Sequence, residues 1–177
     1  MTDKSTVAVL GAGSWGTALA AVLARNGAEA GAQLQLQKVY IKDASFEVPS
    51  APQIFQEQGQ PQVQLNLSQQ VGTLAENIYE VVLTVTVTCK LAEKTAYLAE
   101  VQQAGVFGMS GFDMANRDAV LATYCPNVLF PYARQVVSDL IQNGGFPPFL
   151  LQPINFDALY AEQQRRQAEG QGLSGNA

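Results

Sequence analysis

The run Ile78-Tyr-Glu-Val-Val-Leu-Thr-Val-Thr-Val-Thr88 leaves the chain few ways to fold. Successive side chains of a strand point to opposite faces, so Tyr79, Val81, Leu83, Val85 and Val87 share one side, and Glu80, Val82, Thr84, Thr86 and Thr88 share the other. β-Branched residues suit a pleated surface. One face is therefore apolar and its reverse is lined with hydroxyls. The pattern predicts an antiparallel sheet with helices over its odd-numbered side, the even-numbered side being left to water or to a partner.

A chain of 177 residues, 47% of them hydrophobic, can bury one core. Its formal charge of −5 and only 10 scattered Lys and Arg argue against nucleic acid, whose phosphates require clustered cations. There is no histidine, which removes His-based triads, general bases and metal ligands together. Cys89 and Cys125 stand far apart with no C-x-x-C spacing, so buried free thiols are expected, as suits a reducing cytoplasm. No apolar run is long and unbroken enough to predict a membrane-spanning helix.

The first thirty residues differ from the rest. Val7-Ala-Val-Leu10, Gly11-Ala-Gly-Ser-Trp-Gly16 and Thr17 to Arg25 read as strand, glycine turn and helix, with Gly11, Gly13 and Gly16 in G-x-G-x-x-G spacing. This stretch resembles the opening of the NAD-dependent glycerol-3-phosphate dehydrogenases. An acidic residue about 20 positions on, at the end of a second parallel strand, is what the fingerprint needs, and the nearest such acid is the more distant Asp43. The expectation over 1–32 is therefore an appendage that does not bind a dinucleotide, with its Val7, Leu10, Trp15 and Leu19 in need of burial. An NAD-binding oxidoreductase fragment is the alternative. A signal peptide is a further reading, from Lys4, the apolar middle and Ala28-Glu-Ala30, although Gly11, Gly13, Gly16 and Arg25 interrupt it.

From Leu34 the period is that of strands. Leu34 and Leu36 alternate with glutamines, then the parity reverses at Val39 and Ile41, which predicts a bulge or a strand covered on both faces. Pro49 and Pro52 follow the strand's end. Val63, Leu65 and Leu67 predict a short strand, and Ser68 to Asn77 a polar connection. Lys90 to Lys94 reads as a hairpin turn into a return strand, Thr95 to Val101, with Ala96, Leu98, Glu100 and Gln102 on one side and Tyr97, Ala99 and Val101 on the other. Beyond Gly108 the period becomes helical: one helix capped by Asp113 and ended by Cys125-Pro126, and a second from about Pro131 to Asn143-Gly144. An apolar loop over 145–153 leads to a short helix capped by Asn155. A polar tail is expected from Gln163, with disorder over 169–177.

Several blocks in order, Lys42-Asp-x-Ser-Phe-Glu-x-Pro49, Tyr79-Glu-Val-Val-Leu-x-Val-Thr-Val-Thr88, Glu100-Val-Gln-Gln103, Tyr124-Cys-Pro-Asn-x-Leu-Phe-Pro-Tyr-Ala-Arg134 and Pro153-x-Asn-Phe-Asp-Ala-Leu159, resemble the SecB protein-export chaperones over about Leu34 to Gln167. The resemblance implies an α+β fold over 33–168, a four-stranded antiparallel sheet with helices on one face. It also implies an ATP-independent chaperone, without cofactor or catalytic residues, that holds unfolded precursor proteins, assembles as a homotetramer (a dimer of dimers) and passes clients to the SecA ATPase. A cytoplasmic location goes with that role.

Residue by residue, the resemblance places SecA docking at Asp43, Glu47, Leu98 and Glu100. It places client binding at Leu65, Leu67, Phe146, Phe149 and Leu151, where apolar grooves capture exposed hydrophobic groups, and an influence on subunit assembly at Val101 and Gln103. Each has an ordinary counterpart: solvated surface residues for the first set, core leucines for the second and sheet interior for the third. Relatives commonly carry Trp where Gly59 stands. They begin with a short polar tail and end with an acidic one, unlike this chain.

Overall fold

The computed structural model describes residues 32–173. The glycine fingerprint and the rest of the strand, turn and helix expected before Gly31 lie outside the described residues.

Four strands form one sheet: β1 (Gln33–Glu47), β2 (Gln62–Ala75), β3 (Ile78–Leu91) and β4 (Lys94–Ser110). Their order is β1-β4-β3-β2, every neighbouring pair antiparallel. A 3-10 turn, Gln53–Gln56, follows β1. Among the described residues two helices complete the fold, α1 (Met114–Asn143) and α2 (Phe156–Leu173).

β3 is central and behaves as its alternation predicts. Tyr79, Val81, Leu83, Val85 and Val87 are buried against the helical layer, whereas Thr84, Thr86 and Thr88 are half-exposed on the reverse. Each buried valine or leucine contributes about 1.5–3 kcal/mol of transfer free energy, so the odd face alone commits this strand's orientation. The hairpin into β4 is tight, with Ala92 and Glu93 at φ of 49° and 63°. Both lie in the left-handed region that a type I′ turn demands, although neither is the Gly or Asn usually found there. The register shift at Lys90 sets Ala96 beside Tyr97 instead of on the side of Leu98 and Glu100.

β1 carries the predicted irregularity twice, with register shifts between Leu36 and Lys38 and between Ile41 and Asp43. Beside the second shift, Gln103 Nε2 donates to the Tyr40 carbonyl at 2.8 Å.

Three elements run longer than the local patterns predict. β2 continues through Ser68 to Ala75, leaving only Glu76 and Asn77 as the connection. As an edge strand it needs no continuous apolar face, so its polar half pairs as well as its apolar half. β4 reaches Ser110 through Gly105 and Gly108. At Gly105 an added Cβ would lie 2.8 Å from the Phe107 ring and 2.9 Å from Leu129, so this glycine admits close packing of sheet on helix. α2 runs to Leu173, past Gln163 and into the expected tail.

The two helices predicted around Cys125-Pro126 are one. α1 is continuous for 30 residues with Pro126 and Pro131 inside it. A proline in a helix interior costs about 3 kcal/mol, which locally justifies a break. The buried stripe of Val120, Leu121, Cys125, Leu129, Ala133, Val137 and Ile141 crosses both prolines without interruption, and packing on the sheet outweighs the local penalty. The ends match expectation: the Asn116 amide donates to Asp113 Oδ1 at 2.7 Å, and Gly144 follows Asn143. At α2, the Ala158 amide donates to Asn155 Oδ1 at 3.0 Å.

α1 lies over β3 and β4 and reaches only marginally over the edge strands. The helix side of both edges is consequently open. On β1, Leu36 is 43% and Ile41 50% exposed; on β2, Val63, Leu65 and Val71 are 39%, 38% and 47% exposed.

Candidate functional site

The sheet presents two surfaces. On the outer face, away from α1, the ladder aligns Glu47 with Leu98, Ser45 with Glu100 and Asp43 with Gln102. Leu98, Glu100 and Gln102 are alternate residues of β4 and share that face, so all four docking candidates are gathered within about 14 Å along two neighbouring strands. Asp43 and Glu47 are exposed, and Leu98 and Glu100 half-buried. Thr86, directly across from Glu100, donates its hydroxyl to Glu100 Oε2 at 2.9 Å. The β3 hydroxyl row therefore orients the carboxylate at the centre of the patch.

Farther along the same face, Lys42 Nζ donates to Glu80 Oε2 at 2.8 Å, and the Tyr40 hydroxyl also donates to the Glu80 carboxylate. The Lys42 bond, followed by that of Tyr40, holds the Glu80 carboxyl below the usual glutamate range. The same bond to Glu80 raises the Tyr40 phenol. To reach Glu80 on β3, Tyr40 on β1 must cross β4, and the outer-face residues in that path, Ala104 and Val82, are buried. Sequence reading missed this cluster, because only strand order brings Tyr40 and Lys42 to Glu80.

The helix side carries an apolar strip along β2, formed by Val63, Leu65, Leu67 and Val71, since alternate residues share a face. Gln69, on the same parity, donates from Nε2 to the Leu121 carbonyl at 2.7 Å and ties the strip to α1. Two cavities open along it. One, of about 280 Å³, is lined by Val63, Leu91, Tyr97, Phe146, Phe149 and Gly59, among others. The second, of about 390 Å³, is lined by Leu67, Gln69, Leu83, Phe156, Leu159 and Tyr160, among others.

The client candidates thus divide. Phe146 and Phe149 belong to the first cavity, Leu67 to the second, and Leu65 to the open strip between them. Leu151 is 3% exposed and packs in the core, so it offers no surface to a client. An aromatic cluster shapes the first cavity: Phe146 lies 4.8 Å from Tyr97 and 5.2 Å from Phe55, and Phe46 stacks on Tyr97 at 5.9 Å, centroid to centroid. Burial raises the phenol of Tyr97 and the thiol of Cys89 that lines the same cavity. Val63 was legible beside Leu65 and Leu67, but α2's Phe156 and Leu159 were not, because only tertiary packing sets them facing β2.

Val101 and Gln103 are 0% and 2% exposed, between the sheet and the helical layer. Neither presents surface to a second copy, and Gln103 Oε1 has no hydrogen-bond partner in the protomer. Cys89 and Cys125 are free and buried, as expected. Burial raises the Cys125 thiol well above its ordinary range. Among the described residues, no helix is long and apolar enough to cross a membrane.

An acid-bearing sheet face set back to back with an open apolar strip suits a protein that binds other chains. The SecB family model, "Preprotein translocase subunit SecB", matches residues 27–167, beginning somewhat before Leu34. The chain is 60% identical to the protein-export protein SecB of Stenotrophomonas maltophilia over 142 residues, covering 80% of this chain and 83% of the relative. It is 60% identical to that of Xylella fastidiosa strain Temecula1 over 141 residues, covering 80% and 82%. A solved SecB-like chaperone of Mycobacterium tuberculosis, in complex with an antitoxin peptide, superposes with a TM-score of 0.58 at 19% identity, covering 69% of this chain and 91% of that one. This chain belongs to the SecB family. It is an export chaperone and not an enzyme, and the similarities lend nothing to the dehydrogenase alternative.

Proposed function

We propose that this protein captures unfolded precursor proteins along the helix side of β2, keeps them translocation-competent without ATP, and delivers them to the SecA ATPase at the outer sheet face. The observation that carries the reading is the placement of the two surfaces on opposite sides of one sheet. A client on the Val63 to Val71 strip leaves Asp43, Glu47, Leu98 and Glu100 free for the motor. An unfolded chain offers apolar side chains together with unpaired backbone, and an exposed apolar strip beside an unpaired strand edge suits both.

The working form is a cytoplasmic homotetramer, a dimer of dimers, in which several grooves hold one client at once. Support comes from the exposed helix side of β1, where Leu36 and Ile41 stand open, and from Tyr132 of α1, 50% exposed. Val101 and Gln103 act on assembly from inside the protomer, by seating α1 and the β1 irregularity.

Two variants separate the surfaces. Glu100→Lys is expected to weaken SecA association with client capture intact, and Leu65→Asp to do the reverse. Loss of both activities in both variants would sink the division of labour. A persistently monomeric mass in solution would remove the tetramer.

A further inference from the structure

Lys42 is one residue too many for its ladder. Ile41 pairs with Gln103 and Asp43 with Gln102, so Lys42 has no partner on β4 and forms a bulge. Side chains alternate along a strand, and one extra residue exchanges the faces of those that follow it. Tyr40, opposite Ala104, lies on the outer face before the bulge, and Asp43, opposite Gln102, lies on that face again after it. In an unbulged ladder Lys42 would meet Gln102, and Asp43 would meet Val101 on the helix side.

Two fixed points bracket this irregularity. Downstream, Phe46 stacks on Tyr97 at 5.9 Å, which holds the parity of the strand's end from the helix side and leaves Glu47 outward. That stack is satisfied by a bulge at any position from Lys42 to Ser45. Only a bulge at Lys42 also sets Asp43 opposite Gln102 on the outer face.

The other fixed point is Glu80 on β3, which accepts from Lys42 Nζ at 2.8 Å and from the Tyr40 hydroxyl. These bonds fall on the bulge residue itself and on the last outer-face residue before it. Gln103 holds the same place from the helix side through its bond to the Tyr40 carbonyl. An exposed ion pair alone would orient little. Here the Glu80 side chain is only 16% exposed and receives two donors, which fixes the geometry of all three groups.

We infer that Glu80 is a positioning residue for docking: through Lys42 and Tyr40 it fixes the β1 bulge ahead of Asp43 and thereby holds that carboxylate on the outer face. Without Glu80 the bulge is free to migrate toward Phe46, which turns Asp43 to the helix side. The inference rests on the SecA-docking reading above. It leaves client capture untouched, since β2 lies at the opposite edge of the sheet.

Two full-length variants of equal net charge decide it. Lys42→Met with Glu80→Leu removes one cation and one anion and keeps the extra residue. Glu80→Leu with Lys42 deleted removes the same charges and the extra residue too, so that Asp43 follows Ile41 directly and meets Gln102 in a regular ladder. The first variant is expected to lose the cross-strand NMR contact between Asp43 and Gln102. It should also bind SecA severalfold more weakly, with its affinity for a reduced, unfolded client protein unchanged. The deletion variant is expected to recover both the contact and the SecA affinity, which a role of Glu80 in charge or general stability would not produce. Tyr40→Phe, a milder change, is expected to weaken the same contact in part. An Asp43–Gln102 contact at full strength in the first variant overturns the inference, as does a SecA affinity that deletion of Lys42 leaves weak. Should the first variant lose the contact and still bind SecA like the parent, the docking reading falls instead.

Discussion

Thr86 and Glu100 face each other across the β3–β4 ladder, and the threonine hydroxyl donates to the Glu100 carboxylate at 2.9 Å. Hydroxyl rows on the outer face thus orient an acid that carries the proposed docking contact, where charge-assisted hydrogen bonds are stronger than neutral ones. Thr86→Val keeps the β-branched shape and removes the donor. SecA association, read by titration calorimetry, is expected to weaken severalfold while client affinity is unchanged. Equal SecA affinity in Thr86→Val and the parent would show that the orientation of Glu100 carries no part of docking.

Glu80 sets a pH dependence. Its carboxyl is held below the usual range by Lys42 first and Tyr40 second. A carboxyl depressed in the folded state contributes stability above its unfolded pKa and loses it as pH falls through the folded one. The stability gap between the parent and Glu80→Gln is expected to be full at neutral pH and to close on the acid side of the ordinary glutamate range. Urea midpoints of the pair across that range provide the check; a gap independent of pH would mean that the Lys42 and Tyr40 bonds do not favour the charged form.

Gly144 lies under an aromatic ring. A Cβ there would sit 2.0 Å from Phe46 Cε1 and 2.3 Å from its Cζ, and the ring is pinned by its stack on Tyr97. Gly144→Ala must displace Phe46, an overpacking expected to cost about 1–3 kcal/mol. Denaturant unfolding should show a lower midpoint at constant slope. Because Phe46 also meets Phe146 edge-on, client binding is expected to weaken in the same variant.

Pro131 is exposed within α1, whereas Pro126 is buried in it. Pro131→Ala restores a backbone donor and removes the ring clash, so it is expected to raise stability by up to about 3 kcal/mol. Pro126→Ala should gain less, since deleting a buried ring leaves a void. Thermal melts rank the two; an unchanged Tm for Pro131→Ala would show that α1 is relaxed around its prolines.

Much of the layering was written locally. The two faces of β3, the β1 parity switch, the Asp113 and Asn155 caps and the Asn143-Gly144 stop all follow from short-range periodicity and capping, and each stands where the residues predict. Element ends were less legible. Pro126 and Pro131 argued for two helices and the return strand was expected only to Val101, yet the buried stripe carries α1 through both prolines and β4 continues to Ser110.

The sequence by itself determined which side of each strand is apolar, because side-chain alternation is a property of the backbone alone. Its ordered blocks also carried the family, and with it the four outer-face positions. Only the tertiary structure decided how far those sides are covered. Strand order placed β2 at an edge beyond the reach of α1, which turned a core-like row of Val63, Leu65 and Val71 into an open strip. It also set Glu80 within reach of Tyr40 and Lys42, and Glu100 opposite Thr86. Burial and pairing between distant segments depend on how the layers cover one another, which no local period encodes.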